Sequence, residues 1–180
     1  LVRTIREGRK TGSLLGVLDH TRTSMGGRLL RWNLEQPLVD RDEISRRQDA
    51  VAAFVDDAGF RQEVQELLDQ VYDLERLMGR LAVGTGSARD LRALCSSLAV
   101  IPRLKQLLAQ RPESILQRFE SQLDPLTGLT DLIDRAIVDS PPISVREGGL
   151  IKAGFSHELD ELRTASRDGK KWIKNLEAQE

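Results

Sequence analysis

Residues 13–38 read SLLGVLDHTRTSMGGRLLRWNLEQPL, and their pattern decides the fold class. Leu14, Leu15, Val17 and Leu18 crowd one or two turns after Ser13, which predicts a short helix. Thr21, Thr23 and Ser24 follow, and any of their hydroxyls can accept from the free N–H groups that open a second helix. In that helix Met25, Leu29 and Trp32 recur at helical spacing, with Leu30 and Leu34 beside them. Gly26 and Gly27 leave room for a close backbone approach at its start. Gln36-Pro37 ends it, because proline disfavours the α conformation in the residue before it.

Helical punctuation continues outward. Asp40 with Glu43 three residues on, and Ser87 with Asp90, read as capping boxes. The first opens a helix with Ile44, Arg47, Val51, Phe54, Val55 and Ala58 along one side, closed by Gly59. A helix from about Phe60 to Val71 follows, with its stripe at Phe60, Val64, Leu67, Leu68 and Val71. Asp73 opens the next, with Leu74, Leu77, Met78 and Leu81 inward, ending at Gly84-Thr85-Gly86. Leu91, Leu94, Cys95 and Leu98 predict a helix that Pro102 should kink or break before Leu104, Leu107 and Leu108 resume it. From Pro112 a helix uses Ile115, Leu116, Phe119 and Leu123 and stops at Pro125; Leu129, Leu132, Ile133, Ala136 and Ile137 mark another. Ile143-Ser144-Val145 and Leu150-Ile151, on either side of Glu147-Gly148-Gly149, predict the one small β-hairpin.

The last segment differs in kind. Ser156 can cap it, acids crowd its first turn, and Lys170, Lys171 and Lys174 come late, as the helix dipole favours. Leu159, Leu162, Ser166, Gly169, Ile173 and Leu176 form a narrow seam at alternating spacings of three and four. No upstream stretch reads as a long partner for it. The expected architecture is therefore all-α: a multi-helix bundle with one small β-hairpin and a long projecting C-terminal helix.

Composition agrees and limits the chemistry. The 180 residues carry a net charge of −1, which is no footprint for nucleic acid or an anionic membrane. Charge is uneven, however: before Asp40, Arg3, Arg6, Arg9, Lys10, Arg22, Arg28 and Arg31 face only Glu7, Asp19 and Glu35. That is either a solvated face or a contact with DNA phosphate or an acidic neighbouring domain. The single cysteine, Cys95, excludes an internal disulfide, sits within a leucine stripe as an inert buried thiol, and suits a reducing cytoplasm. No apolar run reaches membrane-spanning length, and the lack of an initial methionine suggests a piece of a longer protein.

No catalytic constellation is visible. His20 and His157 lack ligand spacing for zinc, and Gly8-Arg9-Lys10-Thr11 fails as a phosphate loop because the leading glycine and the preceding strand are missing. Acidic clusters coincide with helix starts, where capping explains them. Glu75 and Arg76 read either as solvent-facing or as an ion pair fixing one helix against another. No catalytic, cofactor-binding, metal-binding or DNA-binding residue is assigned.

Three runs of text carry a resemblance. The first comprises Ser13-Leu14-Leu15, Leu18-Asp19, Thr23-Ser24-Met25-Gly26, Arg28-Leu29-Leu30-Arg31 and Gln36-Pro37-Leu38. The second is Asp73-Leu74-Glu75-Arg76 with Arg80-Leu81-Ala82. The third is Pro141-Pro142, Val145 to Ile151, Gly154-Phe155 and Glu158 to Leu162. In this order they resemble the helical core domain of the bacterial mismatch-repair MutS family. One departure is Trp32, one place earlier than the family's usual tryptophan, which turns the indole by about 100° round the helix.

The resemblance implies a core or lever domain: residues 1–12 a lead-in from a connector, 13–155 the helical core, and 156–180 the start of a lever helix bound for a clamp. It implies a structural, signal-transmitting role that couples an ATPase to clamp closure on DNA, with no enzyme activity in these residues. ATP and magnesium, mismatched duplex DNA, a second MutS subunit and other mismatch-repair proteins would belong to the full-length, cytoplasmic protein. The alternative is a helical interaction module that binds the DNA backbone or a partner protein directly.

Overall fold

A computed structural model describes the backbone of residues 1–177 and the side chains of residues 1–169 and 171. It contains helices α1 (Leu14–Leu18), α2 (Ser24–Glu35), α3 (Arg41–Asp56), α4 (Ala58–Leu68), α5 (Leu74–Ala82), α6 (Ala88–Leu98), α7 (Ile101–Ala109), α8 (Ser114–Gln122), α9 (Thr127–Ala136) and α10 (His157–Glu177). Side-chain caps start most of them. The Ser13, Thr23, Asp40 and Asp73 side chains accept from Gly16, Gly26, Glu43 and Arg76 N–H, and Ser87 with Asp90 completes a reciprocal box.

Two apolar clusters hold the body together. In the first, Ala50 and Ala53 of α3 meet Phe60 and Val64 of α4, Leu107 and Leu108 of α7, and Leu116 of α8. Phe54 stacks on Phe60 with centroids 4.7 Å apart, and the Arg111 guanidinium lies 3.9 Å from the Phe60 ring centre. Lys105 of α7 donates to the carbonyls of Glu120 and Leu123 at 2.6 and 2.8 Å, giving the orphan acceptors at the end of α8 a cation. In the second cluster, Ala88, Leu94, Cys95 and Leu98 of α6 pack against Ile133 and Ala136 of α9 and against Ile137.

Several expectations are corrected. The β-hairpin does not form. Ser144 and Glu147 make a capping box that winds Val145–Glu147 into a 3-10 turn, so the upstream half of the hairpin is lost. Ile151 instead makes a single antiparallel bridge with Ile137. Gly59 does not close α3: Asp57 ends α3 and its carboxylate caps α4 at Phe60 N–H, 2.9 Å away, leaving Gly59 in the first turn of α4. On α3 the buried side is set by Ala50 and Ala53, whose small side chains admit the neighbouring helices, while Val51 and Val55 face outward. Met78 is likewise exposed.

The remaining breakers act close to where they were expected. The helix break falls at Ala99-Val100, two residues before Pro102, which then sits in the first turn of α7, where its missing N–H costs nothing. α8 begins at Ser114 rather than Pro112. The residues that come close to Gly26 and Gly27 belong to the kink just before them, chiefly Thr21 and Thr23. A closer approach occurs at Gly16, where an added Cβ would collide with the Lys10 carbonyl oxygen.

Leu77 is 4% exposed and Leu116 2%. Replacing either with alanine is expected to cost roughly 2–5 kcal/mol in a urea melt. A loss under about 0.5 kcal/mol would place that side chain outside the core.

Candidate functional site

Two junctions, rather than a catalytic pocket, concentrate the polar structure. The first joins the α1–α2 layer to the body. α2 buries none of its residues fully, and Leu29 and Trp32 face outward. Met25, Leu30 and Leu34 are half-buried, and ion pairs and a hydrogen bond tie the helix and its lead-in to the body. Arg28 donates through both terminal nitrogens to Asp73, at 2.8 and 2.7 Å, and also reaches Glu75. Arg22 lies 3.6 Å from Asp69, and Arg47 donates to Asn33 at 3.2 Å. Glu75 thus pairs one helix to another, whereas Arg76 turns back to Asp73 within its own helix.

Asp73 has two tasks, accepting from Arg28 and capping α5. The Arg28 guanidinium, aided by the Arg76 N–H, holds its carboxyl down at about 2. Asp90 is held at about 2 by Arg80 and by the Ser87 N–H, and Asp19 at about 2 by Lys10 and Thr21. Arg28 is correspondingly pushed up, chiefly by its bond to Asp73.

The second junction is the root of α10. After α9 the chain returns so that Val138 N–H donates to Leu150 O at 3.0 Å and Lys152 N–H to Ala136 O at 2.8 Å. Arg92 of α6 and Lys152 share two carboxylates: Arg92 lies 2.9 Å from Asp134 and 3.5 Å from Asp139, and Lys152 lies 2.9 Å from Asp139. Arg92 draws the Asp134 carboxyl below its usual range. The first turns of α10 grip this root. Ser156 caps Leu159 N–H, Asp160 accepts from Gly154 N–H at 2.6 Å, and Arg163 donates to Ile151 O at 2.9 Å. Beyond Arg163, residues 164–169 are exposed, as is Leu162. The sequence showed the seam of this helix but not the grip beneath it. Seam residues Ile173 and Leu176, and the late lysines Lys170 and Lys174, lie outside the described side chains.

Among the described residues no group of three or more His, Cys, Asp or Glu side chains is placed to hold a metal ion. His157 stands on the exposed start of α10, 3.5 Å from Glu161. Cys95 is buried, with its sulfur 3.6 Å from Thr130 O. Among the described residues no helix is long and apolar enough to cross a membrane.

The ionic junction has a signed pH dependence. Asp73 titrates near 3.8 when free and at about 2 when folded, so its contribution is fully present above 3.8 and is lost as pH falls toward about 2. Arg28→Ala removes the main cause of that shift. In urea melts the variant should be less stable than the parent at neutral pH, with the gap narrowing as pH falls below about 4. A gap independent of pH down to about 2 would mean that Arg28 acts through packing alone.

Comparison with known proteins places the chain in a family. The family model for MutS domain III matches residues 1–180. The chain is 47% identical to a DNA mismatch repair protein MutS of Lachnoclostridium phytofermentans over 180 residues, all of this chain and 19% of that protein. It is 49% identical to that of Halothermothrix orenii and 48% identical to that of Acetivibrio thermocellus, again over the whole chain and 20% and 21% of theirs. The chain therefore spans about a fifth of the length of these relatives. With every residue covered at nearly one identity in two, this helical body with its gripped, outward-running α10 belongs to the MutS domain III family.

Proposed function

We propose that this domain works mechanically within a longer MutS-type mismatch-repair protein. Residues 13–155 act as a stiff core, residues 156–180 begin a lever, and residues 1–12 lead in from a connector. The observation that supports this reading most is the contrast along α10. Its root is fixed through Gly154, Ile151 and Arg163, while residues 164–169 are exposed. A rotation of the core would then be carried outward along the helix, at about 1.5 Å per residue, to a clamp that grips DNA.

In this reading ATP and magnesium are bound elsewhere in the longer protein, and no residue here takes part in their chemistry. Mismatched duplex DNA, a second MutS subunit and other repair proteins are partners of that whole protein, in the cytoplasm. The domain's contribution is coupling between nucleotide state and DNA grip.

The rival reading, direct binding of DNA through the basic N-terminal third, has less support. Of its seven cations, Arg9, Lys10, Arg22, Arg28 and Arg31 each have a carboxylate partner among the described residues, where Arg3 and Arg6 have none. Cations already committed to Asp and Glu release fewer counterions from a phosphate backbone.

Hydrogen exchange tests the mechanical reading: amides of residues 164–169 should exchange faster than those of α4 and α6. Equal protection would refute a free arm. Titration with duplex DNA separates the rival, since salt-sensitive binding near micromolar concentration by the 180-residue chain would favour gripping over transmission.

A further inference from the structure

A polar groove of about 650 Å³ opens between α5, α6 and the turn at residues 139–141. Leu77 and Ala93 line its apolar part, and Tyr72, Arg80 and Arg89 stand around it. Arg89, Arg92 and Ser96 recur at helical spacing, so one face of α6 forms a wall.

The guanidiniums here are unequally used. Arg92 is committed to Asp134 and Asp139. Arg80 uses one terminal nitrogen on Asp90. Arg89 donates only its Nε, to Pro141 O at 2.9 Å, so its two terminal nitrogens have no partner among the described residues. That donation fixes the guanidinium plane and leaves its outer edge open. An open pair of this kind matches a carboxylate in a bidentate bond.

Charge selects the ligand. Arg80, Arg89 and Arg92 line the groove against Asp90 and Asp139, one positive charge in surplus. Asp90 is engaged by Arg80 and Ser87, and Asp139 by Arg92 and Lys152. One carboxylate balances this lining. A phosphate dianion overshoots it and faces two acids, and a DNA backbone does so more strongly. The exposed Tyr72 ring offers a shelf to an apolar neighbour of that carboxylate.

We propose that this groove docks an acidic segment of a protein partner, one Glu or Asp carboxylate bridging the free edge of Arg89 with Arg80 beside it and an adjacent apolar side chain resting on Tyr72. The test is a titration of the ¹⁵N-labelled 180-residue chain with the blocked peptide acetyl-Leu-Glu-Leu-amide, following arginine Nε–Hε signals. Saturable shifts at Arg89 are expected, with a Kd on the order of 1 mM for so short a probe. The matching Gln peptide should bind at least about tenfold more weakly, and Arg89→Gln and Arg89→Lys should each lose the Glu preference while circular dichroism stays unchanged. The Glu-against-Gln comparison needs no variant and decides the matter even if a substitution unfolds the chain. The proposal is overturned by equal binding of both peptides, by variants that keep the preference, by no shift up to about 10 mM, or by inorganic phosphate or duplex DNA displacing the peptide from Arg89.

Discussion

The packing of α6 on α9 is the contact from which the functional geometry hangs. Leu94, Cys95 and Leu98 close over Ile133 and Ala136, and this fixes where α9 ends. From that end Ala136 O and Val138 N–H receive the returning chain at Lys152 and Leu150, and Ile151 in turn holds Arg163 of α10. Burial supplies the energy and does not choose direction. The start of α10 is oriented by the hydrogen bonds and ion pairs placed on that apolar foundation.

The α1–α2 layer is held in the opposite way. It contributes one fully buried apolar residue, Leu15, and is fastened by Arg28 on Asp73 and Glu75. Exposed ion pairs contribute little individually because solvent screens them, so a layer attached this way is distinguished by orientation more than by strength. The bidentate geometry of Arg28 and the shared use of Asp73 as a helix cap tie that orientation to the start of α5.

Much of this was legible in the chain. Short polar side chains ahead of apolar runs located the starts of α2, α3, α5 and α6, because capping is satisfied within three residues and needs no tertiary partner. The stripes of α4 and α6 included the buried Phe60 and Val64 and the buried Leu94, Cys95 and Leu98. However, α4 ends at Leu68, short of Val71, and the α6 stripe missed the buried Ala88 and Ser97. The phase of α3 was not legible. Valine outweighs alanine in any reading by hydrophobicity, yet close approach of neighbouring helices selects the small residues Ala50 and Ala53. The hairpin failed for a related reason, since a local Ser144–Glu147 box competed with strand pairing and a distant partner, Ile137, took Ile151.

The sequence alone determined that the chain is helical, where most helices begin, that α10 differs from the rest, and which family it resembles. These are properties of short windows, set by the helical period and by backbone groups satisfied locally. Tertiary structure alone decided that Arg28 meets Asp73, that Arg92 and Lys152 share Asp134 and Asp139, and that Arg89 donates to Pro141 O. The arginines' partners here lie more than 40 residues away in sequence, and any arginine can pair with any carboxylate that the fold brings within reach. Sequence supplies the charges, and packing determines which of them meet.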